Sequence, residues 1–119
     1  MDTENRQNPR HYSLNTVAYC CLDDAGQVTH QGMGRTLNLS EDGILIHLYR
    51  NIGDCRELLL HIGLHDQVIE TRGVVVHCCN DRFTGYRCGI KFVDLGERSR
   101  QSLREFAARF TFKKSTKVP

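Results

Sequence analysis

An alternation of apolar and polar residues with period two restricts this chain more than any other feature, and it recurs. Tyr86, Cys88, Ile90 and Phe92 alternate with Arg87, Gly89, Lys91 and Val93. Leu58, Leu60, Ile62 and Leu64 alternate with Glu57, Leu59, His61 and Gly63. Successive side chains of a strand point to opposite faces, so such runs read as strands with one buried face. Turn-forming clusters separate the runs: Asp23-Asp24-Ala25-Gly26, Asn51-Ile52-Gly53-Asp54, His65-Asp66 and Asn80-Asp81-Arg82. The pattern predicts strands over Leu14–Leu22, Gly32–Leu39, Ile44–Tyr49, Glu57–Leu64, Val68–Cys78 and Tyr86–Val93. The period then changes, because Leu103, Phe106, Ala107 and Phe110 recur at helical spacing. Asp94, three residues before Glu97, predicts a capping box at the start of that helix. The fold class is all-β with one helix: a six-stranded antiparallel β-barrel plus a C-terminal α-helix that covers one open end or side.

A chain of 119 residues is one domain by default. At that size it buries a core without needing disulfides or metal. No apolar run approaches the roughly 18 to 20 residues of a membrane helix. The polar start, Met1 to Arg10, has no signal-peptide core. The expectation is a cytoplasmic protein with no membrane contact. The net charge of +2 is unevenly spread: residues 98–119 hold seven Lys or Arg and one Glu, residues 1–97 nine basic and thirteen acidic. A basic end suits a solvated helix face with a frayed tail, or an acidic partner, a phosphate-rich surface or nucleic acid. A small nucleic-acid-binding barrel ranks low, since no surface aromatics are interleaved with the basic residues.

Six cysteines (Cys20, Cys21, Cys55, Cys78, Cys79 and Cys88) show no C-x-x-C spacing. Adjacent pairs on a strand point to opposite faces and chelate one metal poorly. Buried, reduced thiols are the expected state, with no metal and no cofactor. Catalytic signatures are missing too: no nucleophile elbow, phosphate loop or kinase set occurs. His61 and His65 have the spacing of a helical zinc pair, but they fall on a strand pattern. A binding protein is expected, not an enzyme.

Two segments have binding chemistry. Residues 1–13 read as a flexible arm carrying Arg6-Gln7-Asn8-Pro9-Arg10; Pro9 disfavours helix at Asn8, so a loop presents both guanidinium groups. Such planar forks bond phosphate oxygens or a guanine edge two at a time. The second segment, Asn38-Leu39-Ser40-Glu41-Asp42-Gly43, reads as a polar turn between two strands. Asn38 and Ser40 point away from the face of Leu39, and Gly43 allows a positive φ or a close ligand approach. Residues 14–112 form the barrel and helix, and 113–119 a basic disordered tail.

Arg6-x-x-x-Arg10 followed by Asn38-x-Ser40-x-x-Gly43 resembles the PilZ domain family, whose signatures are R-x-x-x-R and D/N-x-S-x-x-G. The run Gly89-Ile90-Lys91-Phe92-Val93-Asp94-Leu95 looks like that family's last barrel strand, and the likeness spans Arg6 to about Phe110. The resemblance implies a binder of cyclic di-GMP, a bacterial second messenger, that signals through contact with a downstream protein partner. It implies that Arg6 and Arg10 hold phosphates and guanine edges as the arm wraps the ligand. Asn38 would hydrogen-bond a guanine, Ser40 add a polar contact, and Gly43 leave room for the purine. His77 falls where some members carry an aromatic that packs on a guanine; a partly buried strand histidine is the alternative. The family also contains interaction modules that bind no nucleotide.

Overall fold

In the computed structural model, the structure describes residues 16–64, 67–81 and 85–109. Six strands and a helix follow one another: β1 (Thr16–Leu22), β2 (Val28–Leu39), β3 (Gly43–Leu48), β4 (Glu57–Gly63), β5 (Val68–Asp81), β6 (Gly85–Val93) and α1 (Glu97–Arg109). The strands close into a barrel in the order β1-β2-β3-β6-β5-β4, every neighbour antiparallel. The expected six-stranded barrel with a C-terminal helix is therefore the observed fold.

The alternation seen in the sequence is the burial pattern. Val17, Tyr19 and Cys21 of β1 and Leu58, Leu60 and Ile62 of β4 point inward, while their neighbours are half-exposed. Ile44, Ile46 and Leu48 meet them from β3, and Cys88, Ile90 and Phe92 from β6. Full burial of such a side chain contributes roughly 1.5–3 kcal/mol. Ile52, from the loop between β3 and β4, also enters the core.

Several boundaries differ from those predicted. β2 begins at Val28, not Gly32, because Val28, His30 and Gln31 pair with Leu22, Cys21 and Cys20. These residues are exposed, so ladder hydrogen bonds recruit them and no alternation marks them. β5 runs to Asp81, past the expected Cys78: Asn80 and Asp81 are turn residues by composition, yet they pair with Tyr86 and Gly85. Gly85 is required there. Its φ is +144°, and a Cβ would collide with the Leu48 carbonyl oxygen. β3 ends at Leu48, one residue before the expected Tyr49, which is exposed.

Leu103 and Phe106 of α1 join the barrel core, as their spacing predicted. The cap is not the one expected. The Gly96 carbonyl accepts the N–H of Arg100 at 2.9 Å, so Gly96 is the N-cap and Glu97 lies in the first turn. Asp94 instead takes φ +55°, a conformation that Asp tolerates better than most residues. It turns the chain out of β6, and Leu95 packs on the core.

The cysteines also differ from expectation. Cys78 of β5 lies opposite Cys88 of β6 in the ladder, with Cα atoms 4.2 Å apart, and the two form a disulfide. Cross-strand register brings them together, and spacing along the chain gives no sign of it. Cys21 is a buried thiol, Cys20 and Cys55 are half-buried, and Cys79 is exposed. Burial pushes the thiols of Cys21 and Cys55 up from their ordinary pKa, so neither is primed as a nucleophile.

Candidate functional site

Two β-bulges aim the candidate residues. On β2 the register shifts between Thr36 and Asn38, leaving Leu37 as an extra residue. Thr36 points inward opposite Ile46, so strict alternation would also turn Asn38 inward. The inserted Leu37 reverses this: Asn38 faces outward opposite Leu45, and Leu39 enters the core opposite Ile44. On β5 the register shifts between Val75 and His77, with Val76 extra. Val75 pairs with inward Ile90, and His77 then faces outward opposite Gly89.

The two bulges serve one row. Asn38 pairs with Leu45, Leu45 with Gly89, and Gly89 with His77. Asn38 and His77 therefore share one cross-strand row on the outer face of β2-β3-β6-β5. Three strand spacings of about 4.8 Å separate them, roughly 14 Å along the sheet. Asn38 is half-buried, Leu45 and Gly89 are buried, and His77 is exposed. His77 is thus not the partly buried strand histidine of the alternative reading.

Ser40 follows in the turn. Its Oγ accepts the N–H groups of Asp42 at 3.1 Å and Gly43 at 3.3 Å, and its own N–H donates to the Gly43 carbonyl at 3.0 Å. The hydroxyl proton is left to donate elsewhere. Asn38 Oδ1 accepts the N–H of Leu39 at 2.9 Å, which fixes the side chain against its own backbone. Gly43 is buried at the start of β3, opposite Lys91. It does not take a positive φ, one of the two roles expected of it: as the first residue of a strand its backbone is extended, and the positive-φ glycines of the described residues are Gly26, Gly53 and Gly85. Arg6, Arg10 and the rest of the 1–13 arm lie outside the described residues, as do His65, Phe110 and the 113–119 tail.

A contact that no sequence pattern signals holds this turn from behind. Arg104 of α1 donates from Nη2 to Glu41 Oε1 at 2.8 Å and from Nε to both carboxylate oxygens at 3.3 Å. Arg100 Nη1 donates to the Glu41 carbonyl at 3.2 Å and to Asp42 Oδ1 at 3.4 Å. The Asp42 carbonyl in turn accepts the N–H of Phe92 at 2.9 Å. The hydrogen bond from Arg104 holds the Glu41 carboxyl below its ordinary range. The two variable positions of the turn, Glu41 and Asp42, thus tie it to the helix, and Asn38, Ser40 and Gly43 stay on the barrel side. Partners about 60 residues apart leave no local signature.

His61, half of the zinc-like pair, lies 3.4 Å from Glu70 on the neighbouring strand, an ordinary surface contact. Among the described residues no group of three or more His, Cys, Asp or Glu is placed to hold a metal ion. Among the same residues no helix is long and apolar enough to cross a membrane.

Two likenesses to known proteins bear on this geometry. The PilZ domain family's sequence model matches residues 4–109. The structure is similar to that of the Bacillus subtilis inhibitor of motility MotI/DgrA, with a TM-score of 0.66 and 20% sequence identity. That likeness covers 80% of this chain and 46% of the other, so the chain spans less than half the length of that protein. At this identity the similarity is one of fold. No curated protein sequence matches the chain.

Proposed function

The chain belongs to the PilZ domain family, and from that premise we propose that it is a cyclic di-GMP sensor that passes the signal to a protein partner by contact. The observation that carries this reading is the shared outer row of Asn38 and His77, which two separate bulges orient to the same face. A ligand with a purine at each end suits a row with a polar amide at one end and an exposed imidazole at the other. In this reading Asn38 hydrogen-bonds one guanine, and His77 packs on the other by its ring face. Ser40 donates its free hydroxyl proton, and Gly43 lets the purine come close to the backbone. Arg6 and Arg10 bond the phosphates and guanine edges as the arm wraps the ligand. Ordering that arm costs conformational entropy, which the charge-assisted contacts offset. No bond is made or broken, so the activity is recognition, and it takes place in the cytoplasm.

Calorimetric titration with cyclic di-GMP tests the reading. Wild type should bind at micromolar affinity or tighter. Each charge-assisted contact contributes roughly 1.5–3 kcal/mol. Arg6→Ala and Arg10→Ala should therefore each weaken binding roughly tenfold to a hundredfold, at about 1.4 kcal/mol per decade. Absence of binding by wild type would overturn the sensor reading in favour of an interaction module that takes no nucleotide.

A further inference from the structure

The rows on either side of the Asn38–His77 row are basic. On one side Arg35 of β2 pairs with His47, His47 with Arg87 of β6, and Arg87 with Cys79 of β5. On the other, Gly43 pairs with Lys91 and Lys91 with Val74. Alternation turns all of these outward, and Arg35, Arg87 and Lys91 are exposed. None of the three makes an ion pair among the described residues. Arg72, in the outward row next to that of Lys91, and Arg100 and Arg104 of α1 each have a carboxylate partner: Glu57, Asp42 and Glu41. Across β2, β3, β6 and β5 the three rows contain no carboxylate; the third continues from Val74 to Glu57 of β4, which is already paired with Arg72. Three cations on one face, with no carboxylate partner among the described residues, are a standing attraction for an anion.

We infer that Arg35, Arg87 and Lys91 form a strand-borne anion subsite that holds the phosphodiesters of a cyclic dinucleotide lying along the Asn38–His77 row. The inference rests on the cyclic di-GMP reading above and adds contacts that the N-terminal arm does not supply. Adjacent outward rows lie two residues apart along a strand, roughly 7 Å. Cations in the flanking rows therefore border a ligand in the middle row on both sides. The field is also bounded. Asp81 continues β5 beyond Cys79, and Glu41 and Asp42 close the end nearest Gly43. A long polyanion running across the face would meet Asp81 at one end and the already paired Glu41–Arg104 and Asp42–Arg100 at the other, whereas a compact dianion stays within the cations. That boundary favours a dinucleotide over a nucleic-acid strand.

The test uses the full chain and cyclic di-GMP in the same titration, with Arg35→Gln, Arg87→Gln and Lys91→Gln. Arg56→Gln, an exposed arginine in the loop before β4, is the control. Each of the three should weaken binding roughly tenfold. Each should also flatten the fall in affinity with added salt, because one screened charge is gone. Arg56→Gln should bind as wild type does. Wild-type affinity and salt dependence in all three variants, alongside a loss in Arg10→Ala, would sink the strand-borne subsite and leave the sensor reading standing. No binding by wild type would sink both.

Discussion

Ser40 carries more structure than its size suggests. Its Oγ accepts two backbone N–H groups of the turn, so Ser40→Ala leaves both without that partner. At roughly 0.5–1.5 kcal/mol per net hydrogen bond, the substitution should cost about 1–3 kcal/mol. A fall in the urea midpoint with unchanged slope measures it, and an unchanged midpoint would mean that solvent replaces the hydroxyl at no cost. The same substitution removes the hydroxyl proton assigned to the ligand, so affinity should fall further than a loosened turn explains. At this scale much was legible in the sequence. Leu39 in the core with Asn38 and Ser40 turned away follows from three letters of alternation. The reason it holds was not legible: Leu37 supplies the reversal, and an extra leucine in an apolar-rich run looks like any other strand residue. Gly43 misled for a related cause, since a glycine beside a turn suggests positive φ, and only the ladder shows that the strand has already begun there.

Between elements, the grip of α1 on the β2–β3 turn should titrate. Arg104 lowers the Glu41 pKa below its ordinary 4.5 in the folded chain. A lowered carboxylate pKa contributes stability that is complete above the ordinary value and lost as pH falls through the folded value. The grip is therefore intact at neutral pH and lets go on the acid side of 4.5. An NMR titration of the Glu41 side chain should give a midpoint below 4.5, and Arg104→Met should raise it, with Arg100 still nearby. A wild-type midpoint at or above 4.5 would show that the pair does not persist in solution. The helix itself was legible from Leu103 and Phe106, but its start was not. Asp94 and Glu97 have the capping-box letters, whereas the chain needs Asp94 for the turn out of β6, and the cap passes to Gly96. The bulges have a consequence at this scale as well. A chain of this fold lacking Leu37 would spell the same motif and aim its asparagine at the core. Residue counts between ladder partners, and not motif letters alone, decide whether such a chain can read a ligand.

For the molecule as a whole, ligand binding and stability are linked. Cyclic di-GMP at 100 times its Kd should stabilise the folded state by about 2.7 kcal/mol. In a domain of this size that is a rise in Tm of roughly 10 °C. A melting curve with and without ligand reads it, and an unmoved Tm at saturation would argue that the nucleotide does not bind the folded barrel. The covalent state can be counted: denatured without reductant, the chain should titrate four thiols, and six after reduction, because Cys78 and Cys88 are joined. Six thiols before reduction would mean the pair is open in the isolated protein. Closure of the sheet was foreseeable from six evenly spaced strands; the Cys78–Cys88 link depended on a register that the sequence does not state. Closure has one further consequence. Every strand is clasped on both sides, so the wall cannot part or slide without breaking a ladder. It behaves as a stator. Any message that leaves the proposed ligand face must travel through pieces hung on the wall, and the turn at Glu41 with α1 behind it is the one lever in the described chain that touches that face and ends elsewhere. A probe attached to α1 should hear the ligand arrive, and one attached to β1 or β4, on the far side of the wall, should stay silent.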